Sequence, residues 1–151
     1  MVTSALMKQT LEFLSQPEDL AGVRAFVRRF LSDLTLSAKE AELLVLGIDE
    51  ACTNIIRHAY RNAGKKPIHL SCECWREQLR FTLRDFGRQI EAAKLQGRSL
   101  DEIQPGGLGI FLIHQAFDEV AYQPKSRGTE LVLTKMLSRE VAPSSNGNRW
   151  N

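Results

Sequence analysis

The chain has 151 residues, of which 43% are hydrophobic and 25% are charged, and its formal net charge is +2. These values are typical of one soluble globular domain with a sizeable core, and they exclude the compositions of disordered and collagen-like proteins. The charge is nearly balanced and no run of Lys and Arg exceeds two residues, which argues against a nucleic-acid or membrane footprint.

Location and cysteine chemistry follow from the same sequence. No charged-then-apolar segment opens the chain, and no apolar run approaches the ~20 residues that span a bilayer, so we expect a cytoplasmic protein. An odd count of three cysteines favours free thiols over a disulfide framework. Cys72 and Cys74 alternate onto one face of a predicted strand without a second pair, so we expect core thiols rather than zinc ligands.

Helical periodicity dominates the first half of the chain, after a short predicted strand at 8–14. Ser15 begins a capping-box spacing with a proline near the helix start, and apolar residues at helical spacing predict a helix over 17–34. Ser37 begins a second capping box, which opens a longer helix predicted over 38–61.

Two arginines lie one turn apart on the first predicted helix, Arg24 and Arg28. They leave two interpretations open, namely solvated charge or a face that docks a partner.

Alternation with a period of two dominates the second half, which predicts strands. The predicted elements are a hairpin of strands 68–75 and 79–85, a short helix at 89–95, a helix at 108–118, and strands at 119–123 and 129–136. This order predicts an α+β fold, a two-layer sandwich with the helices on one face of a mixed, mainly antiparallel sheet. We expect a single domain over 1–140 and a disordered tail over 141–151.

A polar stripe on the second predicted helix is the first candidate site. Glu50 and Asn54 are four residues apart, and with His58 they lie on the flank of the apolar arc. Such a stripe is either the exposed side of a helix or one wall of a cleft.

Asp85 is the second candidate, because alternation places it on the face that its strand should bury. A buried carboxylate needs a partner to offset its loss of hydration. Asp85 therefore either caps a turn with Gly87 or accepts a hydrogen bond in a pocket, where an exocyclic amine is a suitable donor.

A glycine-rich stretch, Gly106-Gly107-Leu108-Gly109, precedes the third predicted helix. It is either a plain connector or a loop that lets the backbone approach a phosphate at the helix N-terminus. Two standard nucleotide motifs do not fit, since there is no P-loop and Leu112 stands where a dinucleotide fingerprint requires glycine. Asp85-Phe86-Gly87 imitates the protein-kinase metal motif, but the other kinase motifs are missing.

Taken in chain order, these motifs resemble the anti-sigma-factor serine kinases of the histidine-kinase-like ATPase superfamily. The matching stretches are Glu50-Ala51-Cys52-Thr53-Asn54, His58-Ala59-Tyr60, Asp85-x-Gly87, Gly106-Gly107-Leu108-Gly109 and Arg127-Gly128-Thr129-Glu130. The resemblance covers about residues 10–137, which is nearly the whole predicted domain.

The resemblance implies an ATP site with Mg²⁺. Asn54 would bind Mg²⁺, Glu50 would act as the general base, and Asp85 would accept the adenine amine. Gly87 would permit close approach to the base, Thr129 would support it through its hydroxyl, and His58 belongs to the implied ATP-binding set. Gly106, Gly107, Leu108 and Gly109 would lead the phosphates onto the third helix, next to a mobile lid at 88–107.

The implied partners are an anti-sigma-factor antagonist that is phosphorylated on serine and a sigma factor, with a homodimer as the assembly and no direct contact with nucleic acid or membrane. Two features depart from the wider superfamily: Gln89 replaces the second glycine of a D-x-G-x-G pattern, and Ile55 and Ile56 follow Asn54 where a small residue is common. Two alternatives stay open, namely a non-catalytic ATP-dependent protein-binding module and a domain without a ligand.

Overall fold

The computed structural model describes residues 5–89 and 107–137, with side chains for 5–89 and 110–137. In chain order the elements are β1 (Met7–Leu14), a 3₁₀ turn (Pro17–Asp19), α1 (Leu20–Ser32), α2 (Ala38–Asn54), a π-helical turn (Ile55–Ala59), β2 (Pro67–Cys74), β3 (Gln78–Asp85), α3 (Gly107–Ala116), β4 (Glu119–Pro124) and β5 (Thr129–Met136).

The five strands form one sheet in the order β1-β2-β3-β5-β4, and all four neighbouring pairs are antiparallel. The helices pack on one face of this sheet, which confirms the predicted α+β sandwich. The parallel pairing that a mixed sheet would contain is not found among the described strands.

The core lies between the sheet and the helices, as the two periodicities predict. Phe81 of β3 is fully buried, and its ring packs edge-on against Phe30 of α1 and Phe117 after α3, with centroids 6.0 and 5.8 Å away. Cys52, Cys72 and Cys74 are buried and form no disulfide among the described residues, so the prediction of core thiols is confirmed. Burial raises the pKa of Cys72 to about 12, so this thiol stays protonated at neutral pH.

Gly47 lets α2 and α3 approach closely. A Cβ atom at this position would lie 2.7 Å from the Ala116 Cβ and 2.8 Å from the Phe117 ring. Such distances are well inside van der Waals contact, so only a residue without a side chain fits between the two helices.

The second predicted cap is confirmed and the first is wrong. The Glu40 amide donates to the Ser37 Oγ at 3.0 Å, so Ser37 caps α2. Ser15 caps nothing: its hydroxyl donates to the Ala63 carbonyl at 2.6 Å and accepts from the Lys66 amide at 3.0 Å. Tertiary partners about fifty residues away occupy the side chain that a local pattern assigned to the helix.

The second predicted helix ends earlier than its pattern indicates. The α-helix stops at Asn54 and continues as the π-helical turn to Ala59, two residues short of the predicted end at 61. Arg61 and Asn62 then adopt positive φ angles of 50° and 63°, which terminate helical geometry. The change of helical pitch directly follows Asn54, and such π turns are frequent at functional sites.

Arg24 and Arg28 of α1 both form ion pairs with α2. Neither solvated charge nor a face that docks a partner therefore describes these two arginines fully. Arg24 contacts Asp49 at 2.8 Å, and Arg28 binds Glu42 through two guanidinium nitrogens at 2.7 and 3.2 Å. These pairs fix the relative orientation of α1 and α2 on their outer side.

Three sequence-based expectations concern residues that lie wholly or almost wholly outside the described ranges. They are the short helix at 89–95, the lid at 88–107 and the tail at 141–151. Among the helices that the structure describes, none is long and apolar enough to cross a membrane.

Replacing Gly47 with alanine tests the close packing of α2 against α3. We expect Gly47→Ala to lower the free energy of unfolding by about 1–3 kcal/mol, because the methyl group forces the two helices apart. Gly22, within α1, serves as the control, since a Cβ added there would meet no neighbouring atom within 4 Å. Gly22→Ala is expected to raise the free energy of unfolding by about 0.5–1 kcal/mol, measured in urea. If both variants changed the free energy of unfolding in the same direction, the packing argument would be contradicted.

Candidate functional site

Three of the sequence-predicted site residues line one small pocket at the end of the sheet. Asn54 enters from α2, Asp85 from the end of β3 and Thr129 from the start of β5. Asp85 and Thr129 are direct partners in the antiparallel register, so their side chains share the helix-facing side of the sheet. The remaining lining residues are Ala51, Ile55, Tyr122 and Leu131.

The pocket is narrow, with a volume of about 20 Å³, which is room for about one water molecule. An adenine ring is larger, so the lining must widen for a ligand of that size to enter.

Asp85 caps the turn with Gly87, and it also lines the pocket. Its side chain is 4% exposed, and its Oδ1 accepts the Gly87 N–H at 2.9 Å as a turn cap while the carboxylate also lines the pocket. Burial raises the pKa of Asp85, and the Gly87 amide, the Arg84 guanidinium and the Thr129 amide partly offset that rise. A buried carboxylate with unused lone pairs is a strong acceptor for a ligand amine.

Asn54 carries an unsatisfied donor at the same pocket. The residue is 6% exposed, and its Nδ2 has no hydrogen-bond partner among the described residues. A buried amide without a partner destabilises the folded protein by about 1–3 kcal/mol, so the group is suited to bind something that enters the pocket.

Glu50 lies one helical turn before Asn54 on α2 and outside the pocket lining. It is half-buried, and burial together with the neighbouring Asp49 carboxylate raises its pKa, while Arg57 opposes the rise. A raised pKa brings this carboxyl closer to the range in which it can both accept and release a proton.

His58 is not part of the pocket lining. It lies in the π-helical turn, and its carbonyl accepts a hydrogen bond from the Arg88 Nε at 2.6 Å. Burial and the charges of Arg57 and Arg88 lower the pKa of His58, so the imidazole is neutral at pH 7.

Gly87 permits a close approach, but the neighbour is protein backbone. A Cβ on Gly87 would overlap the Ala59 carbonyl oxygen and lie 2.7 Å from the Ala59 carbonyl carbon. The next amide, that of Arg88, donates to the same Ala59 carbonyl at 2.9 Å. The absent side chain therefore allows the end of β3 to lie against the π-helical turn.

Two more groups hold this corner, which we define as residues 85–88 packed against Ala59 and Tyr60. The Tyr60 hydroxyl accepts the Phe86 N–H at 2.8 Å and donates to the Pro67 carbonyl at 2.7 Å. Gly128, with a φ of 76°, lies so close to this corner that a Cβ added to it would be 2.6 Å from the Phe86 Cα. Both Tyr60 and Gly128 belong to the motif stretches that carry the family resemblance, but their contacts required the folded structure.

The glycine-rich stretch is described only in part. Gly107, Leu108 and Gly109 are the first three described residues of α3, so Gly107 is already helical, one residue before the predicted start at 108. Gly106 lies outside the described residues.

Tyr122 forms one wall of the pocket and was not among the sequence-predicted site residues. Burial raises the pKa of Tyr122 to about 12. The feature that identifies Tyr122 as a pocket residue is its position in the strand register. Tyr122 of β4 lies opposite Leu131 of β5, on the helix-facing side of an edge strand.

The pH dependence of stability provides a test of the environment of Glu50. Its folded pKa is raised, so the ionised carboxyl destabilises the folded protein, and this effect is absent below about pH 4.5 and fully developed above the folded pKa. We expect Glu50→Gln to become progressively more stable than the wild type as the pH rises through that window, measured by urea unfolding between about pH 2.5 and 8.

Glu42 is the matched control, since its pKa is lowered by the hydrogen bonds from Arg28. Its stabilising effect is present above about pH 4.5 and is lost as the pH falls through the lower folded pKa. The stability of Glu42→Gln relative to the wild type should therefore change with the opposite sign. The same sign for both variants would contradict the assigned environments.

Comparison with known proteins finds relatives that match most of this chain. The chain is 27% identical over 134 residues to the serine-protein kinase RsbW of Bacillus subtilis, which covers 83% of each chain. It is 28% identical over 137 residues to the anti-sigma F factor of Oceanobacillus iheyensis, which covers 87% of this chain and 94% of the relative.

A solved structure shows the same fold. The crystal structure of the RsbU and RsbW domains of a Mycobacterium tuberculosis protein superposes with a TM-score of 0.61 at 17% identity. The match covers 91% of this chain and 34% of that longer one. Residues 13–135 match the family described as the histidine kinase-like ATPase domain, and the chain therefore belongs to that family.

Proposed function

We propose that this chain is a Mg²⁺·ATP-dependent protein serine kinase that phosphorylates an anti-sigma-factor antagonist and binds a sigma factor. The observation that carries the proposal is the shared pocket of Asn54 and Asp85, where a buried amide without a partner among the described residues faces the same space as a buried carboxylate. The family supports ATP as the ligand, and the names of the RsbW and anti-sigma F relatives support the partners.

Adenine recognition is assigned to Asp85 and Thr129. One oxygen of the Asp85 carboxylate accepts from Gly87, and the remaining lone pairs can accept a hydrogen bond from the exocyclic amine. The Thr129 hydroxyl lies in the same pocket and can support the base as donor or acceptor.

Asn54 is the residue that would hold Mg²⁺. Its amide fits this role because an amide oxygen is a ligand that hard cations accept, and because the buried Nδ2 of the same group has no hydrogen-bond partner among the described residues. Its oxygen and nitrogen exchange places by rotation of the side chain, so either atom can face the pocket. When bound, Mg²⁺ supplies neutralisation of the phosphate charge and orientation of the transferred group.

Glu50 is proposed as the general base. Its raised pKa makes it a better proton acceptor than an ordinary glutamate, and it lies one turn from Asn54 on the same helix. The acceptor serine hydroxyl would donate its proton to the Glu50 carboxylate as its oxygen attacks the γ-phosphorus. The bond between the γ-phosphorus and the β,γ-bridging oxygen would break in the same step, so that ADP leaves with the bridging oxygen.

One observation favours a second candidate, a non-catalytic module in which ATP shapes a protein-docking surface. Glu50 lies outside the lining of the pocket that contains Asn54 and Asp85. In that case ATP binds, and no phosphoryl group is transferred.

Substitution of Glu50 and Asn54 separates the two candidates. We expect Glu50→Gln to retain Mg²⁺·ATP binding in calorimetry and to lower the rate of transfer from labelled ATP to an antagonist protein by about 10²–10⁴-fold, because the base is removed. Asn54→Ala is expected to lose Mg²⁺-dependent ATP binding. Wild-type protein that binds ATP but transfers no label to any antagonist would favour the module, and wild-type protein that does not bind ATP would refute both.

Nucleotide discrimination tests the role of Asp85. The wild type should bind ATP at least about 10-fold more tightly than ITP, because the 6-oxo group of ITP cannot donate to the carboxylate and a hydrogen bond to a charged group contributes ~1.5–3 kcal/mol. Asp85→Asn should bring the ratio close to one, since an amide can donate to the oxo group. Asp33→Asn, at an exposed position after α1, is the control and should keep the wild-type ratio. Equal affinities in the wild type would place adenine recognition elsewhere.

A further inference from the structure

A second and much larger space lies at the same corner of the molecule. It is an open cleft of about 1020 Å³, bordered by the loop that joins the π-helical turn to β2 and by residues 86–88. The two spaces are separated by the chain itself: Asp85 lines the small pocket, whereas Phe86, Gly87 and Arg88 line the cleft.

The charges around the cleft are strongly unbalanced. Arg61, Lys66, Arg88 and Arg127 line it, and the only carboxylate in its described lining is Glu12. The Glu12 Oε1 lies 3.5 Å from the His69 Nε2, and both side chains are exposed. No carboxylate of the described residues forms an ion pair with any of the four cations.

Two of the four cations are held in place by backbone carbonyls. The Arg88 Nε donates to the His58 carbonyl at 2.6 Å, and the Arg127 Nε donates to the Phe86 carbonyl at 3.2 Å. A neutral carbonyl orients a guanidinium without neutralising it, and each guanidinium keeps further N–H donors for a carboxylate. Their positions are therefore set before any ligand arrives, which reduces the entropy lost on binding.

The cleft also has an apolar and aromatic part. Phe86 and Tyr60 line it together with Pro67. The Phe86 ring has the Arg84 guanidinium 4.3 Å from its centroid and the His69 ring edge-on at 5.6 Å. These neighbours fix the ring, which then offers a rigid contact for an apolar side chain.

We propose that this cleft binds an acidic segment of a partner protein, one that carries two or more carboxylates beside an apolar residue. The volume exceeds what a single phosphate or carboxylate fills and suits several residues of an extended chain. The net charge of +2 and the lack of long basic runs disfavour a nucleic acid as the occupant. The proposal is independent of the proposed kinase function, because none of its residues lines the small pocket.

Peptide arrays with the full chain test this proposal. The probes are immobilised eight-residue peptides with a central Phe or Leu and zero to four Asp or Glu residues, and the best binder is then measured by fluorescence anisotropy. We expect binding to increase with the number of acidic residues and to weaken as NaCl is raised, since the attraction is electrostatic.

Charge reversal identifies the residues that bind. Arg88→Glu combined with Arg127→Glu should weaken the best peptide by at least about 10-fold, because each reversal replaces attraction by repulsion. Arg61→Glu combined with Lys66→Glu is a second variant, in which both side chains are exposed and form no hydrogen bond or ion pair with the described residues. It should have a similar effect with an unchanged melting temperature. Lys39→Glu, at an exposed position of α2 outside the cleft, should stay within about 2-fold of the wild type.

Several outcomes would overturn the proposal. The first is that peptides without acidic residues bind equally well, and the second is that both charge-reversal variants keep the wild-type affinity for the peptide. The third is that a twelve-nucleotide single strand binds more tightly than the best acidic peptide. The fourth is that light scattering shows a wild-type dimer that Arg61→Glu/Lys66→Glu converts to a monomer. Asp85→Asn should bind the peptide as the wild type does. Failure of ATP binding with intact peptide binding would therefore affect only the proposed kinase function.

Discussion

The contact between the backbone of Gly87 and the backbone of Ala59 is the constraint on which the candidate site depends. Any side chain at 87 would overlap Ala59, and the Arg88 amide donates to the Ala59 carbonyl. The Tyr60 hydroxyl then bridges Phe86 and Pro67. Because the three residues after Asp85 are held against Ala59 and Tyr60, the end of β3 is placed against the end of the α2 segment, and Asn54 and Asp85 meet at one pocket.

Two buried polar groups at that pocket oppose folding. Burial raises the pKa of Asp85, and Asn54 leaves an amide nitrogen without a partner among the described residues. Groups of this kind are rare in native interiors unless they bind something, and perturbed carboxylates concentrate at functional sites. The core of the domain offsets their effect, since apolar side chains from the sheet and the helices are almost fully buried between the layers.

The same corner presents different chemistry on its two sides. On the helix side of the sheet it offers a carboxylate and a hydroxyl in a narrow, mostly apolar space, which suits a planar base with an amine donor. The neighbouring open cleft offers four cations and an aromatic ring, which suits an extended acidic chain. The division falls at the end of β3, because Asp85 lines the small pocket, whereas Phe86, Gly87 and Arg88 line the cleft.

The sequence by itself determined which elements form and which faces they bury, because side-chain period and capping chemistry act within a few residues. It placed Asp85 on the buried face, Asn54 beside the core and the Ser37 cap at the start of α2. Only the tertiary structure decided which partners these faces meet. Ser15 binds Ala63 and Lys66 instead of capping a helix, Gly87 lies against the Ala59 backbone, and Tyr122 lines the pocket from an edge strand. The physical reason is that periodicity reports that a side chain is buried, whereas the identity of its neighbour depends on residues distant in the chain.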